Sequence, residues 1–225
     1  SGHQLYLLVN NGAEAYRYDS ANGRFEILYK LSLLWEIGSE EVEKVKRIIE
    51  ETVEAFEIEV AKGEYIQDRG SQITFKPIGT AVTREEKISY NNEQGRADRE
   101  VYAAFINERL QEAGITKLHA QVAGTSSIDI VMRDVKSFSV EKVLRELGAD
   151  AEAVVYMNDT FDLRDNGSDV FGKVGVVINV GTRMLGKRKG LTGRSFVIDS
   201  AVPGAKGGTD YIRIIGLAFG NQQPG

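Results

Sequence analysis

The chain is predicted to be α/β, and three observations say so. Segments of helical and strand period alternate through its first two-thirds, with an α-β-β-α-β-β series in the middle. Two later runs, Ala153–Met157 and Val174–Val180, are continuous and Val-rich, as in a parallel sheet covered on both faces. Beyond Gly172 the chain breaks into short apolar runs punctuated by glycine, where a long helix is not expected.

In chain order, Leu5–Asn10 reads as a short buried strand closed by Asn10-Asn11-Gly12. Ala15–Tyr18 and Phe25–Tyr29 flank Ser20-Ala21-Asn22-Gly23, a hairpin with an Asn-Gly turn. Ser39 is expected to cap a long helix with Glu40, Glu41 and Glu43 at its start and an inward stripe of Val42, Val45, Ile49, Val53 and Phe56. Strands follow at Tyr65–Arg69 and Gln72–Phe75. A second helix runs from about Arg96 to Ala113, stops at Gly114, and is expected to turn Val101, Ala104 and Phe105 inward. Strands at Leu118–Val122 and Ile128–Met132 complete the series, expected to form an antiparallel sheet with both helices on one face. A helix with Val140, Val143, Leu144 and Leu147 then ends at Gly148. The organisation read from this is an α/β core built from residues 1–34 and 132–225, with an α+β insertion over 35–131.

Composition narrows the chemistry. The 225 residues carry 28 Lys+Arg against 33 Asp+Glu, a net charge of −5, which argues against a broad nucleic-acid surface. No apolar run approaches the roughly 18–20 residues of a membrane span, and Leu5–Val9 is too short for a signal-peptide core. These features lead to the expectation of a cytoplasmic protein. With no cysteine and two histidines, His3 and His119, thiolate metal sites, Cys nucleophiles and His-based triads are excluded or disfavoured. Carboxylates, Lys/Arg, hydroxyls and backbone amides are left.

Two regions collect such groups. Met157-Asn158-Asp159-Thr160, followed by Asp162, Asp165 and Asp169, lies past the carboxyl end of a strand, where open α/β sheets bind ligands. Carboxylates without Cys or His suit a hard ion such as Mg²⁺; the same residues also read as a solvated loop turning at Asn166-Gly167. The second region is Tyr65–Gly79 together with Gly124–Ile130. Here Arg69 falls at a strand end, and Ser127 and Asp129 share one face. A guanidinium, hydroxyls and a carboxylate in one place suit a hydroxylated, phosphorylated ligand; a polar sheet face laced with surface ion pairs is the plainer alternative.

The same residues carry a resemblance. Leu7-Val9-Asn11-Gly12-Ala13 with Tyr16-Arg17-Tyr18, then Asp68-Arg69-Gly70-Ser71-Gln72-Ile73-Thr74-Phe75, then Thr125-Ser126-Ser127-Ile128-Asp129-Ile130, and finally Asn158-Asp159 through Gly167-Ser168-Asp169, resemble haloacid-dehalogenase-superfamily proteins with a large α+β cap, close to phosphomannomutases and sugar-phosphate phosphatases. The likeness runs from Leu5 to about Val180. It implies a Rossmann-like core, incomplete or rearranged, with a cap of layout αββαββ. It also implies Mg²⁺-dependent phosphoryl transfer on a phosphorylated sugar through an aspartyl-phosphate. On this likeness Arg69, Lys87, Ser127, Asp129 and Asn11 bind substrate, Asp159 and Asp169 hold Mg²⁺, and the core lysine is Lys136 or Lys142. Lys87 stands where the mutases have an arginine, and Thr80 stands where they have another.

The family's Asp-x-Asp-Gly-Thr strand does not precede Leu5. Ser195-Phe196-Val197-Ile198-Asp199 offers a strand ending in Asp199, the candidate nucleophile, with Ala201 where the family has its acid/base Asp. Three readings stay open: an enzyme, phosphatase or mutase-like; a non-catalytic relative that binds a sugar phosphate or another protein; and a piece whose missing strands come from another chain. Homo-oligomerisation stays open as well.

Overall fold

The structure is a computed structural model, and it describes residues 5–148, 155–158 and 176–179. The chain divides into two compact units, Ser1–Ser139 and Val140–Gly225.

The first unit contains two antiparallel sheets. In the smaller, β1 (Tyr6–Val9), β2 (Glu14–Asp19) and β3 (Arg24–Lys30) lie in that order. The β1–β2 connection is a single 3-10 turn, Asn10–Gly12, in which Asn10, Asn11 and Gly12 have φ of 51°, 57° and 89°. Asparagine tolerates this left-handed region better than other side-chain-bearing residues. Gly12 has the further reason that a Cβ would come within 2.5 Å of the Ser139 hydroxyl. In the β2–β3 turn Asp19 accepts from the Ala21 amide at 2.9 Å, and Gly23 takes φ of 63°. The hairpin expected from Asn22-Gly23 is therefore present. The expectation of a buried first strand is corrected: Leu5 and Leu7 are 58% and 45% exposed. β1 has a strand partner on one edge only among the described residues, and a continuous apolar run does not by itself reveal how many faces are covered.

The larger sheet has the order β4 (Ile66–Asp68), β5 (Ile73–Phe75), β7 (Ser127–Met132), β6 (Leu118–Ala123). Neighbours are antiparallel throughout. α2 (Ser39–Ala55) and α4 (Glu93–Glu112) pack on one face. The core between them takes Val42, Val45, Ile48 and Ile49 from α2, Ala103, Ile106 and Leu110 from α4, and Ile73, Phe75, Leu118, Ala120, Ile128 and Ile130 from the strands. Each valine, leucine, isoleucine or phenylalanine among them contributes about 1.5–3 kcal/mol when fully buried, and the alanines less. The αββαββ layout is as expected, and two short helices add to it: α1 (Leu33–Ile37) and α3 (Arg84–Tyr90).

Three local expectations need correction. α2 is entered through Gly38 (φ 90°) with no side-chain cap, and Ser39 is already helical; the chain turns sharply out of α1, which a glycine permits and a serine does not. In α2, Ile48 and Thr52 complete the buried stripe while Phe56 is 37% exposed beyond the helix end. In α4 the inward face is Gly95, Arg99, Ala103, Ile106 and Leu110, and Val101 is 51% exposed. The misleading residue is Arg99, which is buried because its guanidinium donates to the carbonyls of Ala123 and Gly124 and, at 2.8 Å, to Asn91 Oδ1.

α5 (Val135–Leu147) runs across the boundary between the units and ends before Gly148, whose φ is 55°. In the second unit β8 (Val155–Asn158) and β9 (Val176–Asn179) pair in parallel, as their continuous apolar character predicts.

Candidate functional site

The register of the larger sheet aligns Gln67, Thr74, Asp129 and Gln121 across all four strands. The rungs on either side, Ile66-Phe75-Ile128-Val122 and Asp68-Ile73-Ile130-Ala120, point mainly apolar side chains to the helices. The polar row therefore lies on the face away from α2 and α4.

At its centre Asp129 is only 9% exposed. Its Oδ1 accepts from Thr74 Oγ1 at 2.8 Å, and Oδ2 accepts from Asn11 Nδ2 at 3.4 Å. The Asn11 amide also donates to Gln72 Oε1 at 3.1 Å, and Gln72 Nε2 donates to Thr74 Oγ1 at 3.2 Å. The left-handed turn of the small sheet thus delivers Asn11 to the polar face of the large one. Ser127 is on the same face, two residues before Asp129, and its hydroxyl donates to the Ala123 carbonyl at 3.0 Å.

Arg69 is displayed on the β4–β5 turn. Asp68 fixes that turn by accepting from the Gly70 amide at 2.9 Å and pairing with Lys46 at 3.2 Å, while Gly70 takes φ of 77°. The exposed Arg69 guanidinium makes one long contact, 3.5 Å to Gln67 Oε1. Lys87 sits on α3, whose start is set by a capping box between Thr83 and Glu86, with Glu86 also bridged to Lys62 at 2.6 Å. The approach to α3 is fixed by Gly79 (φ 82°), where any Cβ would strike the Lys62 carbonyl.

Sequence reasoning passed over Lys76. This half-buried side chain has its pKa lowered, first by desolvation and then by Arg69 and Lys87, with Asp129 opposing. The signal that could have found it is the alternation Gln72, Thr74, Lys76 on one face. Among the described residues, no ion pair reaches Arg69, Lys76 or Lys87. Lys76 thus lies within electrostatic reach of two other cations and of the Asp129 carboxylate, a field that favours an anion.

Of the sequence-predicted residues, the structure brings Asn11 to Asp129 by a hydrogen bond, and places Arg69 and Lys87 within electrostatic reach of Lys76. Lys136 lies in the first turn of α5. Asp159, Asp169 and Asp199 lie outside the described residues. Among the described residues no group of three or more His, Asp or Glu side chains converges on a metal position. The polar face, with one carboxylate among cations, does not fit Mg²⁺. No described helix is long and apolar enough to cross a membrane.

Comparison with known proteins places these features. Among curated proteins no match is found. Among solved structures, an N-terminally truncated IMP-nucleotidase of Plasmodium falciparum aligns at 14% identity over 75% of this chain and 44% of that one, with a TM-score of 0.50. A trehalose-6-phosphate phosphatase of Aspergillus fumigatus aligns at 15% identity over 77% and 59%, TM-score 0.41. The sucrose-phosphatase of Synechocystis, solved with sucrose and phosphate, aligns at 13% identity over 78% and 58%, TM-score 0.41. This chain spans less than two-thirds of the length of each of these three, and the likeness to the IMP-nucleotidase is one of fold. The sequence pattern of the eukaryotic phosphomannomutases matches residues 3–169, about three-quarters of the chain. On that match the chain belongs to the eukaryotic phosphomannomutase family, within the haloacid-dehalogenase superfamily.

Proposed function

We propose that the chain acts in phosphoryl transfer on a phosphorylated sugar, with phosphatase or mutase-like chemistry, and that the polar face of the four-stranded sheet holds the substrate. The observation that carries this reading is Asp129, buried on that face and braced by Thr74, beside cations that no carboxylate neutralises among the described residues. A buried carboxylate with a free lone pair accepts sugar hydroxyls in charge-assisted hydrogen bonds, with Ser127 and Asn11 at hand for others. Arg69 presents the planar fork that suits phosphate, and Lys87 adds charge to it. In this reading residues 35–131 are a cap domain inserted into a core built from 1–34 and 132–225.

Of the proposed reacting groups, Asp159, Asp169 and Asp199 lie outside the described residues. Asp199 is the proposed nucleophile and Lys136 the core lysine. Asp159 and Asp169 are the proposed holders of Mg²⁺, which when bound neutralises charge on the transferring phosphoryl group.

The test is binding and phosphate release with mannose 6-phosphate in the presence of Mg²⁺. Arg69→Ala is expected to weaken binding by about 1–3 kcal/mol, the loss of a charge-assisted contact. Asp199→Asn is expected to abolish turnover while leaving binding in place, because an amide cannot form the aspartyl-phosphate. Unchanged affinity in Arg69→Ala removes the polar face as the binding site, and turnover surviving in Asp199→Asn removes Asp199 as nucleophile.

A further inference from the structure

The alternation of β5 does not stop at Phe75. The Lys76 amide donates to the Tyr65 carbonyl at 2.8 Å, and the Arg69 amide donates to the Gln72 carbonyl at 2.9 Å, so the β4–β5 pairing extends a rung at each end. Arg69, Gln72, Thr74 and Lys76 therefore share one face. The β5–β7 register sets Thr74 opposite Asp129 and Phe75 opposite Ile128, and one more residue at the same spacing would set Lys76 opposite Ser127. Lys76 would thus stand two rungs from Asp129, the next side chain along the face already described.

Its surroundings are unusual for a lysine. The side chain is half-buried, and among the described residues its ammonium makes no hydrogen bond or ion pair. The charged groups that act on it are Arg69, from the β4–β5 turn, and Lys87, from α3, both repulsive, and Asp129, from β7, which is attractive. Asp129 spends one oxygen on Thr74 and the other on Asn11. Withdrawing a cation from water towards two others is unfavourable, and nothing in the packing demands a lysine after Phe75. A multiply charged anion among the three cations reverses the sign of each of these repulsions.

We propose that Lys76 is a phosphate-binding residue of this site, its ammonium donating to the phosphate of the sugar phosphate in company with Arg69 and Lys87, while Ser127 and Asp129 meet the hydroxyls. The inference rests on the sugar-phosphate reading above and adds to it a residue that sets specificity for the phosphorylated end.

The experiment titrates the full chain calorimetrically with mannose 6-phosphate and with inorganic phosphate, comparing wild type, Lys76→Met and Lys76→Arg. Lys76→Met is expected to bind both probes about ten-fold more weakly or worse, and Lys76→Arg to stay within about three-fold of wild type. Thermal melts accompany the titrations: losing a repelled, half-buried charge is expected to leave Tm unchanged or raise it, which separates a binding defect from a folding one. A second readout follows the Lys76 Nζ titration by NMR, which should move upward when mannose 6-phosphate binds. A folded Lys76→Met that binds mannose 6-phosphate as tightly as wild type overturns the Lys76 assignment and leaves the sugar-phosphate reading standing. A wild type that binds neither probe overturns both.

Discussion

Two buried carboxylates, Glu14 on the small sheet and Asp129 on the large one, are similarly hidden, at 5% and 9% exposure. They are treated in opposite ways. Glu14 is satisfied by its own neighbours: Tyr16 Oη donates at 2.7 Å, Asn10 Nδ2 at 2.8 Å, and Lys30 Nζ lies at 3.1 Å. Asp129 has one good partner in Thr74 and one long one in Asn11, and Lys76, within electrostatic reach, makes no ion pair with it. A carboxylate surrounded by fitted donors is part of the structure. One left with spare lone pairs, close to a cation that makes no ion pair, is the arrangement the proposed ligand would complete.

The largest expected effect tests that division directly. Asp129→Asn keeps an acceptor for Thr74 but loses the charge, so affinity for mannose 6-phosphate should fall by about 1.5–3 kcal/mol while the denaturation midpoint hardly moves. Glu14→Gln should do the reverse, costing about 1–2 kcal/mol of stability in denaturant melts and leaving sugar-phosphate affinity as in wild type. If both variants lose stability alike and affinity alike, the distinction fails.

A smaller effect is the acid limb of the stability curve. The folded-state pKa of Glu14 is lowered from 4.5, chiefly by the hydrogen bond from Tyr16 with further help from Lys30 and Asn10, against the opposing pull of desolvation. A depressed carboxylate pKa means that the stabilisation is complete above the unfolded value of 4.5 and is lost as pH falls from there through the lower folded value. Melts of Glu14→Gln between neutral pH and that window should show a flatter decline than wild type. The smallest effect belongs to Tyr16→Phe, which removes one donor from Glu14 and should lower stability slightly, with the acid limb moved towards higher pH.

Much of this arrangement is legible in the residue order. The α-β-β-α-β-β series follows from periodicity alone, because apolar residues on β5 and β7 alternate with the polar ones of the proposed site. The motif residues Arg69, Ser127 and Asp129 fall where strand alternation places them. The failures have particular causes. The buried stripe of α4 includes Arg99, and a count of apolar side chains slides past an arginine whose donors are taken up by carbonyls and by Asn91. α3 was readable from Thr83 and Glu86, spaced as a capping box, but it is short and carries no buried apolar side chain to announce it. Lys76 precedes a proline, which reads as the end of a strand, whereas its amide still pairs with Tyr65. The acidic loop and the glycine-rich tail, with Asp159, Asp169 and Asp199, fall outside the described residues.

The 3.4 Å contact between Asn11 and Asp129 lies at the long end of what counts as a hydrogen bond. Its weakness has a thermodynamic meaning. A neutral amide keeps the Asp129 charge company without competing for it, so a ligand hydroxyl can take over Oδ2 while giving up little in exchange. The same amide keeps its shorter bond to Gln72, so Asn11 need not move far to yield. On the proposed function, the hairpin turn that carries Asn11 acts as a placeholder solvent, holding the face in order while leaving the largest gain in hydrogen bonding for the sugar phosphate.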